Sequence, residues 1–123
     1  MSFTNWNGLQ TIAKKLAQVD DEAAFRSAIN RAYYAAFQLS MEYAQTRGFI
    51  RNRDGTDHSR IVVQMKGYRE TYIKEAGRAL ERLQDNRNKA DYDERFDIKK
   101  PIVSASILMA DDIIKALQSW RPY

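Results

Sequence analysis

The sequence predicts an all-α protein, an up-and-down four-helix bundle with an additional short helix. Three observations lead there. Apolar residues recur at alternating spacings of 3 and 4 over most of the chain, the signature of helices with a buried face. No stretch of useful length alternates apolar and polar residues as a half-buried strand does. With 5 Gly and 2 Pro, the chain is also too poor in turn residues for an all-β fold. Its 123 residues and 14.3 kDa fit a single domain, 1–123, whose core needs no disulfide or metal staple.

The first helix is expected to begin after Thr4 or Asn5, with Leu9, Ile12, Leu16 and Val19 as one apolar stripe. Asp20 or Asp21 then caps a much longer helix. One of its faces carries Phe25, Ile29, Ala32, Ala36, Leu39 and Tyr43, and a second carries Tyr34, Phe37, Met41 and Ala44. Two apolar faces mark a central bundle helix, or one that also meets a second subunit. It should stop at Gly48 after roughly 27 residues, or about 40 Å.

Residues 48–57 read as a loop with an Asp54-Gly55 turn. Asp57 is placed to cap a short helix bearing His58, Ile61, Met65 and Tyr68, which Gly67 weakens or ends. A longer helix follows from about Glu70 to about Asp93. The last helix has Pro101 in its first turn and a stripe of Val103, Ile107, Ala110, Ile114 and Leu117. Four long helices and one short one result.

Composition excludes several chemistries. The chain has no Cys and one His, His58, so thiolate or multi-histidine metal sites and a cysteine nucleophile are ruled out. No metal or cofactor is expected. The longest charge-free stretches are ten residues, Ala32–Met41 and Pro101–Ala110, against about 20 for a membrane span. The N-terminus has neither a basic head nor an apolar run, so a cytoplasmic location without membrane association is expected.

The net charge of +4 is unevenly placed. Residues 47–100 carry 14 basic groups against 10 acids, and the flanking segments are balanced. Such asymmetry suits a polyanion, nucleic acid above all, although a solvated helix face with alternating charges has the same composition. Lys74, Arg78 and Arg82 form a basic row, but Glu75, Glu81 and Asp85 interleave it.

The fourth helical stretch contains the informative departure. Its stripe runs Ile73, Ala76, Leu80, Leu83, Arg87, Ala90, which puts an arginine where the pattern reserves a core position. A guanidinium directed at a helix seam is costly unless it is paired or meets water or a ligand. One outcome is outward snorkelling with an Asp91 ion pair one turn on. The other is a cleft in which the planar fork of Arg87 meets a phosphate.

Two segments carry a resemblance. Ser27-Ala28-Ile29-Asn30-Arg31-Ala32-Tyr33-Tyr34-Ala35-Ala36-Phe37 resembles the second-helix signature of the HEPN superfamily, in particular its small bacterial members with an Arg-Ala-Tyr-Tyr-Ala-x-Phe run. Arg87-Asn88-Lys89-Ala90-Asp91-Tyr92 is similar to that group's later-helix motif, and His58-Ser59 falls where many relatives open the short helix with His-Ser. The resemblance covers roughly residues 20–117.

It implies a HEPN-like bundle that pairs into a homodimer. In catalytic members an Arg, followed four to six residues later by His, cleaves RNA at the dimer cleft without a metal. Many of these are toxins or defence effectors, some with a nucleotidyltransferase as antitoxin, and other members bind only RNA or nucleotides. Carried onto this chain, Arg87 matches the arginine and Asn88 the polar residue after it, while Tyr92 stands where active relatives have His. Arg87, Tyr92 and Asn88 are therefore the expected catalytic set. Arg82, Arg78, Lys89 and Arg31 are the candidate RNA contacts, and His58 is a candidate base if the short helix packs beside Arg87. A phenol with a pKa near 10 is a poor base at pH 7, so a binding module without catalysis is the alternative. The tyrosine that a nucleotidyltransferase modifies in relatives has Glu94 in its place here.

Overall fold

A computed structural model describes residues 6–95 and 97–118. Its helices are α1 (Asn7–Leu16), α2 (Glu22–Thr46), α3 (Asp57–Lys66), α4 (Thr71–Tyr92) and α5 (Lys100–Gln118), with no strand among the described residues. Thr4 and Asn5, where the first helix was expected to start, lie outside the described residues.

Helix α2 organises the molecule because both of its apolar stripes are buried within the chain. Phe25, Ile29, Ala32, Ala36, Leu39 and Tyr43 are buried, as are Phe37, Met41 and Ala44. The helix packs against all four others, and of the second stripe Tyr34 alone is only half-buried. Asp21 caps its start, the carboxylate accepting from the Ala24 N–H at 3.1 Å. Beyond its end Gly48 takes φ +92°, the left-handed conformation that glycine adopts without steric cost.

Side-chain contacts give the helix directions. Trp6 Nε1 donates to Glu42 Oε1 at 2.7 Å, which ties the start of α1 to the end of α2. Arg26, near the start of α2, donates to the Ala90 carbonyl at 2.8 Å, while Tyr43 near its end donates to Glu70 at 3.1 Å. Asn86 donates to Ser106 across α4 and α5 at 3.1 Å. Helices α1, α2, α4 and α5 thus alternate in direction. Helix α3 is the addition, and it runs parallel to α2 because loop 47–56 climbs back along that helix. Arg51 donates to Gln38 at 3.3 Å on the way.

Asp57 secures this return, though not as the expected cap. Thr56 is the N-cap, and the buried Asp57 carboxylate reaches back to accept from the Asn52 N–H at 2.9 Å and the Arg53 N–H at 2.8 Å. Arg60 adds an ion pair at 2.8 Å. Burial alone would raise the carboxyl pKa; the two N–H groups and Arg60 reverse this and hold it below its ordinary value. Arg53 takes φ +62° inside the tied loop.

Helix α1 departs from expectation twice. It has 10 residues, the same as α3, so three helices are long rather than four. It also buries a different face: Ile12 and Val19 are 45% and 51% exposed, while Gln10, Ala13 and Ala17 are buried. Two alanines let the backbone approach α2 and α5 closely, and Gln10 bonds the Ile107 carbonyl at 3.1 Å and Asp111 at 3.0 Å. A seam of small and polar residues has thus displaced the larger apolar side chains to its margins.

Candidate functional site

The chain directions bring the middle of α2, the start of α3 and the end of α4 together. Arg87 occupies the junction, and its side chain is 11% exposed. Its Nε stands 3.0 Å from Asp91 Oδ2 in an ion pair, and Asp91 also accepts from Asn30 Nδ2 at 2.9 Å. Nη2 donates to the Tyr34 hydroxyl at 2.9 Å and to that of Tyr92 at 3.4 Å, while Nη1 donates to Asn88 Oδ1 at 3.1 Å. The guanidinium carbon lies 5.4, 5.3 and 5.3 Å from the rings of Tyr33, Tyr34 and Tyr92. A positive charge among aromatic faces is stabilised by their quadrupoles, which helps offset its desolvation.

Of the two outcomes the sequence left for Arg87, the structure shows part of the first. The Asp91 pair exists, but the side chain does not snorkel outward. It stays at the seam with its fork among tyrosines, and Tyr92, 71% exposed, sits at the rim. Arg87 and Tyr92 touch within one chain even though five residues separate them.

Beside this cluster stands the lone imidazole. His58 Nδ1 is 2.5 Å from the hydroxyl of the fully buried Tyr33, and the ring stacks on Phe37 with centroids 4.4 Å apart and 19° between planes. The His58 ring lies 5.7 and 6.1 Å from the Tyr33 and Tyr34 rings, the same pair that Arg87 approaches from α4. The condition for His58 to adjoin the Arg87 region, that α3 pack beside it, is therefore met. Burial lowers the imidazole pKa and the positive charges of Arg87 and Arg51 lower it further, against a smaller opposing effect of Asp57. Burial likewise raises the Tyr33 phenol pKa far above its ordinary value; Arg87 and a hydrogen bond with Gln84 offset this only in part.

Of the candidate RNA contacts, two lie near the site. Arg31 donates to Asn30 at 3.1 Å, next to the Asn30–Asp91 bond. Lys89 joins Asn88, Tyr92, Asp93, Glu94 and Arg95 around an open groove of about 540 Å³ at the end of α4. Arg78 and Arg82 lie elsewhere. They are nine and five residues before Arg87, about 180° and 140° away round the helix. Arg82 lines a cleft between α4 and α5 with Tyr72, Glu75 and Asp112.

Spacing on one helix could not reveal Tyr33, Tyr34 and Asn30 as partners of Arg87, since they lie on α2. No group of three or more His, Cys, Asp or Glu side chains among the described residues is arranged to hold a metal ion. No described helix is long and apolar enough to cross a membrane. No family model matches the chain, and neither a curated protein nor a solved structure matches it.

Proposed function

We propose that the chain is a HEPN-type endoribonuclease of the toxin or defence kind, acting as a homodimer, in which Arg87 holds the scissile phosphate of RNA. The observation that carries this is the Arg87 guanidinium, kept at a helix seam by Asp91 and Tyr34 and surrounded by tyrosine rings at a solvent-facing rim. Asp91 and Tyr34 fix its orientation in advance, which reduces the ordering cost of binding. The bonds to Asn88 and Tyr92 at the rim are the exchangeable ones, and two phosphate oxygens would replace them with charge-assisted hydrogen bonds. The basic surplus of residues 47–100 adds long-range attraction for a polyanion.

Tyr92 serves as a hydrogen-bond donor to the phosphate and as an exposed ring for a neighbouring base. A phenol in the position of the motif His favours a second reading, a module that binds RNA, a nucleotide or a nucleotidyltransferase antitoxin without cleaving. One experiment separates the two. Purified protein, sized by light scattering, is incubated with single-stranded RNA beside Arg87→Ala shown to be folded. A dimer that cleaves, with cleavage lost in Arg87→Ala, supports the nuclease; a folded dimer that binds RNA and cleaves none leaves the binding module.

A further inference from the structure

We infer that His58, held by Tyr33, is the proton acceptor of the cleavage reaction, supplying from α3 the imidazole that the α4 motif lacks. The inference rests on the nuclease reading above and assigns a catalytic residue within it. Three contacts carry it. The Tyr33 hydroxyl engages Nδ1 at 2.5 Å and Phe37 stacks flat against the ring, so two partners on α2 set the imidazole's position and rotation. The ring and the Arg87 guanidinium flank the same two tyrosines, each within 6.1 Å of both rings. With Nδ1 engaged by Tyr33, Nε2 is the nitrogen left for substrate, and the half-buried ring reaches solvent.

The chemistry balances without a further reactant. The 2.5 Å contact admits either tautomer, and the one that cleaves carries its proton on Nδ1, donated to the Tyr33 oxygen, and presents a lone pair at Nε2. Nε2 takes the proton of a ribose 2′-hydroxyl, and the 2′-oxygen forms a bond to the adjacent phosphorus held by Arg87. The P–O5′ bond breaks, and the leaving 5′-oxygen takes a proton from water. The products are a 2′,3′-cyclic phosphate and a 5′-hydroxyl; the imidazolium then returns its proton to solvent. Tyr33 acts only as a positioning residue.

The groups facing the imidazole keep it ready to accept a proton. Tyr33, Tyr34 and Phe37 on α2 bury it, Arg87 on α4 and, to a lesser degree, Arg51 in the loop repel its protonated form, and Asp57 beside it on α3 opposes them without reversing the shift. The imidazole is therefore neutral at pH 7, with a pKa below the ordinary value near 6.5.

Because the chain has one His, its imidazole signals are unambiguous in an NMR titration of the full protein. The test combines that titration with the pH profile of RNA cleavage. The acid limb of the profile should coincide with the imidazole pKa measured by NMR. His58→Gln should lose about 10²- to 10⁴-fold in cleavage while remaining folded and binding RNA. Tyr33→Phe, which keeps the ring, should slow cleavage and move the acid limb and the NMR pKa together. Cleavage by His58→Gln at the wild-type rate, or an acid limb unrelated to the NMR pKa, overturns the assignment and leaves the nuclease reading intact. Wild-type protein that cleaves no RNA removes both. If His58→Gln does not fold, His58→Asn is read in the same way, and coincidence of pH limb and NMR pKa in the wild type decides alone.

Discussion

Arg87 and Asp91, one turn apart on α4, form an ion pair at 3.0 Å that also reaches α2, because Asn30 donates to the same Asp91 oxygen at 2.9 Å. Arg87 therefore has a structural role as well as the proposed chemical one. Arg87→Ala strands Asp91 and Tyr34 without their cation and should destabilise the fold by about 1–3 kcal/mol. Chemical denaturation measures this, and the loss sets the temperature at which the variant's activity can be fairly compared. An unchanged or raised midpoint would show that the pair is not stabilising.

The His58 imidazole has a pKa lowered on folding, so the folded protein binds fewer protons than the unfolded chain as pH falls past about 6.5. Stability should thus decline as pH falls from neutral through about 6.5, and His58→Gln should flatten that decline. Asp57 and Glu70 act in another window, since their lowered carboxyl pKa values contribute stability that is lost only below about pH 4. Thermal melts at half-unit pH intervals distinguish the two windows. An equal decline in His58→Gln would assign the upper window to another group.

Gly77 marks where α3 presses on α4. A Cβ there would stand 2.9 Å from Met65 Cβ and 3.2 Å from the Lys66 backbone nitrogen, neither of which can swing aside. Gly77→Ala should therefore destabilise by about 1–3 kcal/mol through overpacking, exceeding the roughly 1 kcal/mol gained in helix propensity. Because α3 carries His58, cleavage should fall as well, whereas RNA binding through Arg87 should change less. A stabilised variant would mean that the helices separate without cost.

Tyr92→Phe removes only a hydroxyl, 3.4 Å from Arg87 Nη2, and keeps the ring at the rim. Losing one hydrogen bond to a charged group predicts a fall in cleavage of about 10- to 100-fold, at or below the smallest loss expected of His58→Gln. Tyr92→Ala should weaken RNA binding further through the lost stacking surface. A thousandfold loss in Tyr92→Phe would return the proton transfer to the phenol.

Much of this arrangement was legible in the spacing of residues. The two stripes of α2 could be read because their positions hold apolar or aromatic side chains, with Ser40 the one buried polar residue of the helix, and Arg87 stood out because it interrupts such a stripe. The face of α1 was not legible, since Ala13, Ala17 and Gln10 carry little hydrophobic signal beside Ile12 and Val19, yet close approach favours them. Asp57 has the chemistry of a helix cap, and only the returning loop shows that its carboxylate is spent on Asn52 and Arg53. The Tyr33–His58 contact depends on the same loop: nothing local to either residue announces that α3 runs parallel to α2. The separation of Arg78 and Arg82 from Arg87 was, by contrast, available from the helical angle alone.

Counterion release tests the phosphate grip of Arg87 most directly. Binding of a fluorescent single-stranded RNA to the folded full-length protein is measured by anisotropy across a series of salt concentrations, for wild type and Arg87→Ala. A guanidinium that neutralises one phosphate predicts weaker binding by the variant and a logarithmic salt slope shallower by about 0.7 to 1. Identical affinities and parallel slopes, or a wild type that binds no RNA, would contradict the account.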